Sequence, residues 1–379
     1  MHYFTFAEKD ATLYEKSGSL NSGLDEILEV RKDVSTAGDV ITVSRALIRF
    51  ELNTISKLKT AGVIKDNAKY YLNLFDARPT ALATSQSLYA YPVSQSWTMG
   101  DGRSYDNPVT TEGCSWNFRN GENEGLLWSP ETASGGSWFS NNDGAYEMSH
   151  SFGVKSEDMR MDVTGIVNAW LDDTIPNEGF ILKRSGSFYD STTTSGSFGN
   201  NDSDSDEGSS TRFGNFSFFS TDTHTKYPPT LEAVWDDSKW ATGSLSPLTK
   251  ANIEDMVIYM KGLRPEYKEK SIAKFRVVGR ERFPDKTYST TADNLSVKYL
   301  PSGSSFYSIT DAETDDVVVP FGSGSKLSCD SDGNYFLLRM DGYQPERYYK
   351  IEYRIQSGSA TDEETDQYFD EGFTFKVTL

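Results

Sequence analysis

Most of this chain consists of short apolar or alternating runs that predict β-strands, and one stretch has the spacing of a short amphipathic helix. Within 161–183, four apolar residues fall at i, i+3, i+4 and i+7, the spacing that places them on one helix face. These residues are Val163, Ile166, Val167 and Trp170. A helix this short is unstable alone in water, so we expect it to lie on a larger apolar surface.

The flanks of this stripe predict where the helix begins and ends. Asp162 or Thr164 can cap its start, because either side-chain oxygen can accept a hydrogen bond from a free backbone N–H. Pro176 and Asn177 should stop the helix, and the segment 179–183 should begin a strand.

Short strand-like runs occupy most of the remaining sequence. In the first part they are bounded by clusters of Gly, Ser, Asn and Asp, the residues that favour turns. The runs are 27–32, 45–52, 67–77, 87–97, 212–220 and 228–235. The segment 55–65 reads as a short connection with a helical turn. The low-complexity segment 185–210 should be an exposed excursion between two core strands, because it has little apolar area to bury.

The pattern changes near residue 237. In 237–271 a helical stripe with an N-cap at Thr249 predicts a linker containing a short helix. From 272 onward, seven strand-like runs predict an immunoglobulin-like β-sandwich. The expected organisation is therefore all-β: a jelly-roll β-sandwich with one short helix over 1–236, the linker, and an immunoglobulin-like sandwich over 272–379.

Composition and charge narrow the classes of function. The 379 residues carry a formal net charge of −19, with 13% aromatic residues. This net negative charge argues against nucleic acid as a partner, since binding it needs clustered Lys and Arg. No apolar run approaches the length of about 18 residues that spans a bilayer, so we expect no membrane insertion.

The residues that usually perform catalysis are scarce. The three histidines show no metal-binding spacing, and neither a nucleophile elbow nor a phosphate-binding loop is present. A glycosidase needs only two suitably separated carboxylates, but most acids here lie in turns, where a solvated surface is the better interpretation. We therefore expect a protein that is not an enzyme.

Two features suggest binding sites. Asp202, Asp204 and Asp206 alternate within 200–208, a spacing that can direct oxygen ligands at calcium. The run fails the EF-hand pattern, because Gly is not at the sixth position and Phe213 stands at the twelfth. Structural calcium is thus an expectation, with no other cofactor.

The tryptophans of the loop-rich segment 98–149 allow three interpretations. Trp116, Trp128 and Trp138 are candidate contact residues, which would either stack on sugar rings or anchor a protein partner. The favoured alternative for Trp116 and Trp138 is that they fill the end of the sandwich.

The cellular location is also open to inference. The start of the chain lacks the basic and apolar regions of a signal peptide. The two cysteines, Cys114 and Cys329, are far apart, which argues against a disulfide framework and fits synthesis in a reducing cytoplasm. A virion component, made in the host cytoplasm and released by lysis, would satisfy both observations.

The order of segments in the first part resembles the DNRLRE-type domain, a jelly roll similar to carbohydrate-binding modules. The resemblance covers about 1–236 and rests on 10–32, 45–52, 68–77, the GCSWNFRNG and GGSWFS runs, 161–183 and 228–236. The family's helix stripe and following strand correspond here to Val163, Val167, Trp170, Asn177, Gly179, Phe180, Leu182 and Lys183. This resemblance implies a fold more than an activity.

The whole layout resembles structural proteins of tailed bacteriophages, in which such a module is joined to an immunoglobulin-like domain. The segments 277–290, 329–336 and 342–353 carry this second resemblance. It implies a non-enzymatic neck, tail or baseplate protein that docks onto other virion proteins or onto copies of itself. The alternative is an adhesion module that binds host-surface glycan.

Overall fold

The computed structural model describes residues 1–36, 41–78, 80–82, 85–128, 134–139, 145–185, 206–248, 254–284, 288, 290–291, 296–356 and 366–379. The strands are β1 (His2–Tyr14), β2 (Ile27–Val30), β3 (Lys32–Val34), β4 (Ile41–Phe50), β5 (Lys69–Leu74), β6 (Gln86–Pro92), β7 (Met148–Phe152), β8 (Met159–Asp162), β9 (Phe180–Arg184), β10 (Phe216–Phe219), β11 (Thr230–Val234), β12 (Ser246–Pro247), β13 (Met256–Lys261), β14 (Glu266–Lys268), β15 (Ile272–Glu281), β16 (Lys298–Tyr299), β17 (Ser305–Asp311), β18 (Val317–Val319), β19 (Ser328–Asp330), β20 (Gly333–Arg339), β21 (Tyr348–Gln356) and β22 (Asp366–Thr378). The α-helices are α1 (Asn53–Thr60) and α2 (Thr164–Leu171), and 3-10 turns occupy Glu15–Ser17, Ser323–Ser325 and Met340–Gly342.

The chain forms two compact units, and the prediction of an all-β fold with a short helix is confirmed. The N-terminal unit comprises 5–57 and 69–232, and the C-terminal unit comprises 1–4, 58–68 and 233–379. The expected strand runs of both parts are strands in the structure. The expected short connection at 55–65 overlaps α1, which buries Ile55.

The N-terminal unit is built on one large sheet with the order β7-β6-β9-β4-β1-β11-β5-β8, in which β3 also pairs with β4. A separate two-stranded sheet pairs β10 with β2. At one end, β8 alternates buried Met159 and Met161 with exposed Arg160 and Asp162, as a strand with one covered face should. In the interior, every residue of β9 is buried, including its two cations. The covered faces of β9 therefore hold charges that need internal partners.

Helix α2 buries the predicted stripe. Ile166 and Val167 are fully buried, and the Trp170 ring packs on Phe180 with centroids 4.6 Å apart. The carboxylate of Asp162 accepts the Thr164 N–H at 2.9 Å. The helix ends at Leu171, before the predicted stop at Pro176, since the chain turns into a left-handed conformation at Asp173, with φ of 53°.

The turn into β9 requires a glycine. The Asn177 side chain donates to the Phe50 carbonyl at 2.9 Å, and Gly179 donates its N–H to the Asn177 side-chain oxygen at 3.2 Å. Gly179 has φ of 92°, and a Cβ there would lie 2.4 Å from the Ile48 carbonyl oxygen. This close approach explains the asparagine and glycine before the strand.

The loops that carry the tryptophans are tied to one buried side chain. Asn21 is fully buried and donates to the carbonyls of Met99, at 2.7 Å, and Cys114, at 2.8 Å. Its oxygen accepts the Gly102 N–H at 2.8 Å. A single asparagine thereby satisfies three backbone groups of the 98–114 loop.

The C-terminal unit is a β-sandwich. One sheet has the order β12-β16-β15-β20-β19, with β13 also paired to β15, and the other has the order β14-β22-β21-β17-β18. Aromatic side chains of the two sheets meet in one core, where Tyr307 stacks on Phe336 at 4.1 Å and Phe275 lies 5.3 Å from Phe375. Cys329 is buried in this unit and Cys114 in the other, and both are free thiols.

The predicted linker helix within 237–271 is wrong for the described part of that segment. Met256 to Lys261 form β13, which pairs antiparallel with β15. Met256 and Ile258 point into the core while Val257 and Tyr259 are more exposed, so the apolar residues follow a two-residue period. Pairing with a neighbouring strand overrides the weak helical spacing. The predicted cap at Thr249 lies outside the described residues.

Candidate functional sites

The three predicted contact tryptophans are buried. Trp128 is 0% exposed, Trp138 3% and Trp116 5%, so the expectation that they contact a ligand or partner at the surface is wrong. They belong to one core cluster of the N-terminal unit. The Trp128 indole N–H donates to the Ser115 carbonyl at 3.0 Å. The loops around these residues fold inward because each ring removes a large apolar area from water.

Two of these tryptophans enclose a buried cation. The guanidinium carbon of Arg45, on β4, lies 4.9 Å from the centre of the Trp116 ring and 5.3 Å from that of Trp138. Arg45 itself is 0% exposed. Both rings present a negative π-face to the cation, which partly replaces its lost hydration.

Glu207 supplies the counter-charge. Its Oε1 accepts from Arg45 Nε at 3.1 Å and its Oε2 from Arg45 Nη2 at 2.8 Å. The Lys183 ammonium, on β9, lies 3.4 Å from the same Oε2 and 5.3 Å from the Trp138 ring. We call Arg45, Lys183, Glu207, Trp116 and Trp138 the buried charge cluster. It joins two strands of the sheet, two loops and the segment after 205.

Burial and charge shift the ionisation of this cluster in opposite directions. Burial lowers the pKa of Lys183 to about 8, although Glu207 opposes the shift. Burial alone would raise the pKa of Glu207, but the two cations outweigh it and hold that pKa below its usual value. The Glu207 carboxylate therefore stays ionised, and Lys183 loses its charge at a lower pH than an ordinary lysine does.

A glycine closes the cluster. The Gly135 carbonyl accepts from Arg45 Nη1 at 2.7 Å, and Gly135 has φ of 80°. A Cβ at this position would lie 2.6 Å from Arg45 Nη1 and 2.7 Å from the Trp116 ring. The cluster is thus sealed from solvent, and its chemistry is that of an internal crosslink.

Two of the predicted calcium ligands, Asp202 and Asp204, lie outside the described residues. Asp206 is described: its N–H donates to Ser185 Oγ at 3.1 Å and its carbonyl accepts from the Lys32 ammonium. Within the ranges that the structure describes, no three His, Cys, Asp or Glu side chains are grouped to hold a metal. Calcium remains a prediction.

A polar cleft of about 280 Å³ opens on the N-terminal unit. Its lining residues are Tyr14, Lys16, Ser17, Leu20, Glu29, Arg31, Asp33, Thr42, Val43, Ser44 and Ser104. The Tyr14 hydroxyl donates to Glu29 Oε2 at 2.8 Å, and Arg31 Nη1 lies 3.4 Å from both Glu29 oxygens. Arg31 Nε is buried and has no hydrogen-bond partner. The cleft thus offers donors, acceptors and one aromatic ring.

The C-terminal unit carries an aromatic patch on the face of its β14-β22-β21-β17-β18 sheet that points away from the core. The Arg354 guanidinium lies 4.8 Å from the Phe306 ring and 5.3 Å from the Phe321 ring. The Tyr368 ring meets Phe321 edge-on at 5.8 Å and is 56% exposed. We define the aromatic patch as Phe306, Phe321, Arg354 and Tyr368. It combines residue types that are enriched at protein interfaces.

Asp366 lies beside this patch with one oxygen unused. Its Oδ2 is 3.5 Å from Arg354 Nη1 and accepts from Gln356 Nε2 at 3.4 Å. The Asp366 side chain is only 6% exposed. Its Oδ1 and the Arg354 Nε are both buried and have no hydrogen-bond partner. Such an unpaired buried donor and acceptor are costly unless a further group completes them.

Sequence reasoning missed Glu207, since it treated the segment 185–210 as an exposed excursion. The described end of that segment is held inside by Arg45 and Lys183. A signal was present in the core strands, where Arg45 and Lys183 interrupt otherwise apolar runs. Buried cations require an anion, but the sequence does not indicate which of many acids supplies it.

No protein-family model matches this chain. No curated protein matches it, and no solved structure matches it. In the described residues, no helix is long and apolar enough to cross a membrane.

Proposed function

We propose that this chain is a non-enzymatic structural protein of a tailed bacteriophage particle, in the neck, tail or baseplate, that docks onto other virion proteins. It would be made in the host cytoplasm and reside in the virion. The resemblances in segment order and in the C-terminal runs motivate this proposal. The aromatic patch is the single observation that carries the docking role.

The patch has the composition of an interface hot spot. Tyr368 exposes 56% of its surface from a strand that is paired along its length with β21. Arg354 is held between two phenyl rings, so little side-chain entropy remains to be lost on binding. A few Tyr, Trp and Arg side chains in such settings supply most of the affinity of a protein interface.

The buried charge cluster supports a structural role in the N-terminal unit. Its shortest ion pair, between Arg45 and Glu207 at 2.8 Å, is fully enclosed and cannot reach a substrate. Its effect is to hold loops and strands in one arrangement, which suits a rigid body that presents surfaces to neighbours.

The experiment is quantitative mass spectrometry of purified particles, combined with chemical cross-linking. We expect this chain at a fixed stoichiometry to other virion proteins, with cross-links from lysines near the patch, such as Lys350. We also expect the purified chain to show no hydrolase activity on host-surface glycans. Absence of the chain from purified particles would contradict the proposal.

The second candidate function is carbohydrate binding, and the polar cleft of the N-terminal unit favours it. The cleft has a volume of about 280 Å³ and offers hydroxyls, carboxylates and the Tyr14 ring. Sugars are recognised by such mixed polar and aromatic linings. A glycan array, repeated with Asp33→Ala in the cleft and Asp332→Ala in the C-terminal unit as the control, tests it. Binding should be lost only in the first variant, and no binding above background by the unaltered chain would refute it.

A further inference from the structure

The polar cleft of the N-terminal unit is lined by side chains from three neighbouring strands. Tyr14 on β1 lies directly opposite Ser44 on β4, and Asp33 on β3 lies directly opposite Thr42 on β4. Side chains that are opposite each other on paired strands share one face of the sheet. All four residues therefore contribute polar groups to the same lining.

Ser44 fixes the backbone that carries Arg31. The Ser44 side chain is buried, and its hydroxyl accepts the Arg31 N–H at 2.9 Å and donates to the Glu29 carbonyl at 2.8 Å. The Ser44 N–H donates in turn to the Arg31 carbonyl at 3.1 Å. Arg31 is thus held at the cleft before any ligand arrives, which lowers the ordering cost of binding.

The Arg31 guanidinium has unused hydrogen-bonding capacity. Its Nη1 lies 3.4 Å from each Glu29 oxygen and its Nη2 lies 3.8 Å from Asp33 Oδ2. These distances exceed the value of about 2.7–2.9 Å that is usual for hydrogen bonds between charged groups. Its Nε has no hydrogen-bond partner in the described part of the chain, and 40% of the side chain is exposed. A ligand with a good acceptor can therefore improve on the present contacts of Arg31.

Lys16 brings a second cation to the same lining. Its side chain is exposed, and among the described residues it forms no ion pair. Ser17 and Thr42 add hydroxyl groups. Of the two carboxylates, Glu29 already accepts the Tyr14 hydroxyl at 2.8 Å. The unused groups of the lining are therefore mainly donors.

Two cations with spare donors favour a ligand that carries negative charge. Arginine and lysine side chains both bind carboxylates, and arginine can do so with two parallel hydrogen bonds. Glu29 and Asp33 lie beside the guanidinium, however, and would repel an anion. This repulsion grows with the charge of the ligand, so a singly charged carboxylate is favoured over a doubly charged phosphate.

We propose that the cleft binds a sugar unit that carries a carboxylate, as a uronic acid does. This inference rests on the second candidate function, carbohydrate binding, and deepens it by naming the class of sugar. The carboxylate would accept hydrogen bonds from Arg31 and Lys16. The sugar hydroxyls would donate to Asp33 and accept from Ser17 and Thr42.

The test is a titration of the full chain with the methyl glycosides of glucuronic, galacturonic and mannuronic acid, followed by saturation-transfer NMR. Each acid is compared with its own methyl ester, which keeps the ring and the hydroxyls but has no charge. We expect at least one acid to bind about tenfold or more tightly than its ester, because hydrogen bonds between charged groups are the stronger ones. Inorganic phosphate at equal ionic strength should not displace that acid.

Three substitutions locate the effect. Lys16→Gln and Arg31→Gln should each weaken the acid about tenfold while leaving the ester unchanged, since only the charged contact is lost. Lys57→Gln, at an exposed lysine of the same unit, is the matched control and should change neither. The unfolding curve of each variant is recorded, so that loss of binding is separated from loss of folding.

Four outcomes overturn the proposal. They are no acid binding more tightly than its ester, displacement of the acid by phosphate, equal losses in Lys16→Gln and Lys57→Gln, and no binding by any of the six compounds.

The comparison with Asp33→Ala separates this inference from the function on which it rests. If acids and esters bind equally and Asp33→Ala abolishes both, carbohydrate binding stands and only the choice of a charged sugar fails. If neither the compounds nor the glycan array give binding, the second candidate function fails as well. Neither result bears on whether the chain is found in purified particles.

Discussion

The Arg45 guanidinium on β4 donates two hydrogen bonds to the carboxylate of Glu207, 162 residues away in the chain, with neither side chain more than 1% exposed. The pair fastens the segment after 205 to the sheet. Lys183 adds a second cation at 3.4 Å. Because water cannot reach these groups, each ion depends on the others.

Removing both partners of this pair should cost less stability than the two single removals added together. We expect Arg45→Met or Glu207→Gln alone to lower the free energy of unfolding by about 3–5 kcal/mol, since each leaves a buried charge without its hydrogen-bonded partner. The double variant should cost less than the sum of the two. Denaturant titration followed by tryptophan fluorescence measures all three, and strictly additive losses would contradict the coupling.

Replacing either of the buried tryptophans Trp116 and Trp138 should lower the free energy of unfolding. Trp138→Ala and Trp116→Ala should each cost about 3–5 kcal/mol, because each removes a large ring from a closed core. Tyr105→Ala, at a 75% exposed site in the same unit, should change the unfolding free energy by less than about 0.5 kcal/mol. Thermal unfolding of the three variants checks this, and a neutral Trp138→Ala would show that the ring is not in the core.

The turn before β9 should not accommodate a side chain at Gly179. Gly179→Ala places a Cβ against the Ile48 carbonyl in addition to forcing a left-handed backbone. Gly125→Ala is the matched control, with φ of 65° and open space around it. We expect about 1–2 kcal/mol for the control, from the backbone term alone, and a clearly larger loss at Gly179. Equal losses in denaturant titration would mean that the turn can shift.

Asp10 should make stability fall as pH rises towards neutrality. Burial raises its pKa to about 7, although it accepts the Thr221 N–H at 2.7 Å and the Thr221 hydroxyl at 3.1 Å. An unfolded chain releases this proton near about pH 3.9. Below that pH the folded and unfolded states are both protonated. Between the two pKa values the folded state binds more protons, so stability is lost as pH rises, at up to about 1.4 kcal/mol per unit.

Asp10→Asn removes the titrating group and should flatten this fall in unfolding free energy. The measurement is denaturant titration at several pH values between the two pKa values. Glu124→Gln, at an exposed site of the same unit, is the control and should leave the slope unchanged. Equal slopes for Asp10→Asn and the unaltered chain would argue against the raised pKa.

The sequence predictions that the structure confirms are those that rest on a strong local periodicity of apolar residues. The stripe of α2 is buried as expected because four apolar residues on one short helix have no other stable placement. The strand runs were predictable for the same reason. In 256–261 the spacing was ambiguous between helix and strand, and the neighbouring strand β15 decided it.

The candidate sites show the same difference between what local sequence predicts and what long-range contacts decide. Trp116 and Trp138 were visible in the sequence as unusual loop residues, but neighbouring residues cannot indicate whether a loop folds inward or outward. Only the tertiary structure places them around Arg45 and selects Glu207 from among 56 acidic residues. Likewise, the aromatic patch joins residues of four separate segments.

By itself, the amino-acid sequence determined the all-β class, the short helix and most strands, because those follow from the period of apolar residues along a local stretch of chain. The tertiary structure alone decided which charges are buried together and which tryptophans lie in the core. Those depend on contacts between residues far apart in the chain, such as Arg45 with Glu207 and Arg354 with Phe321. Burial converts such contacts into large energies only once the whole fold has excluded water.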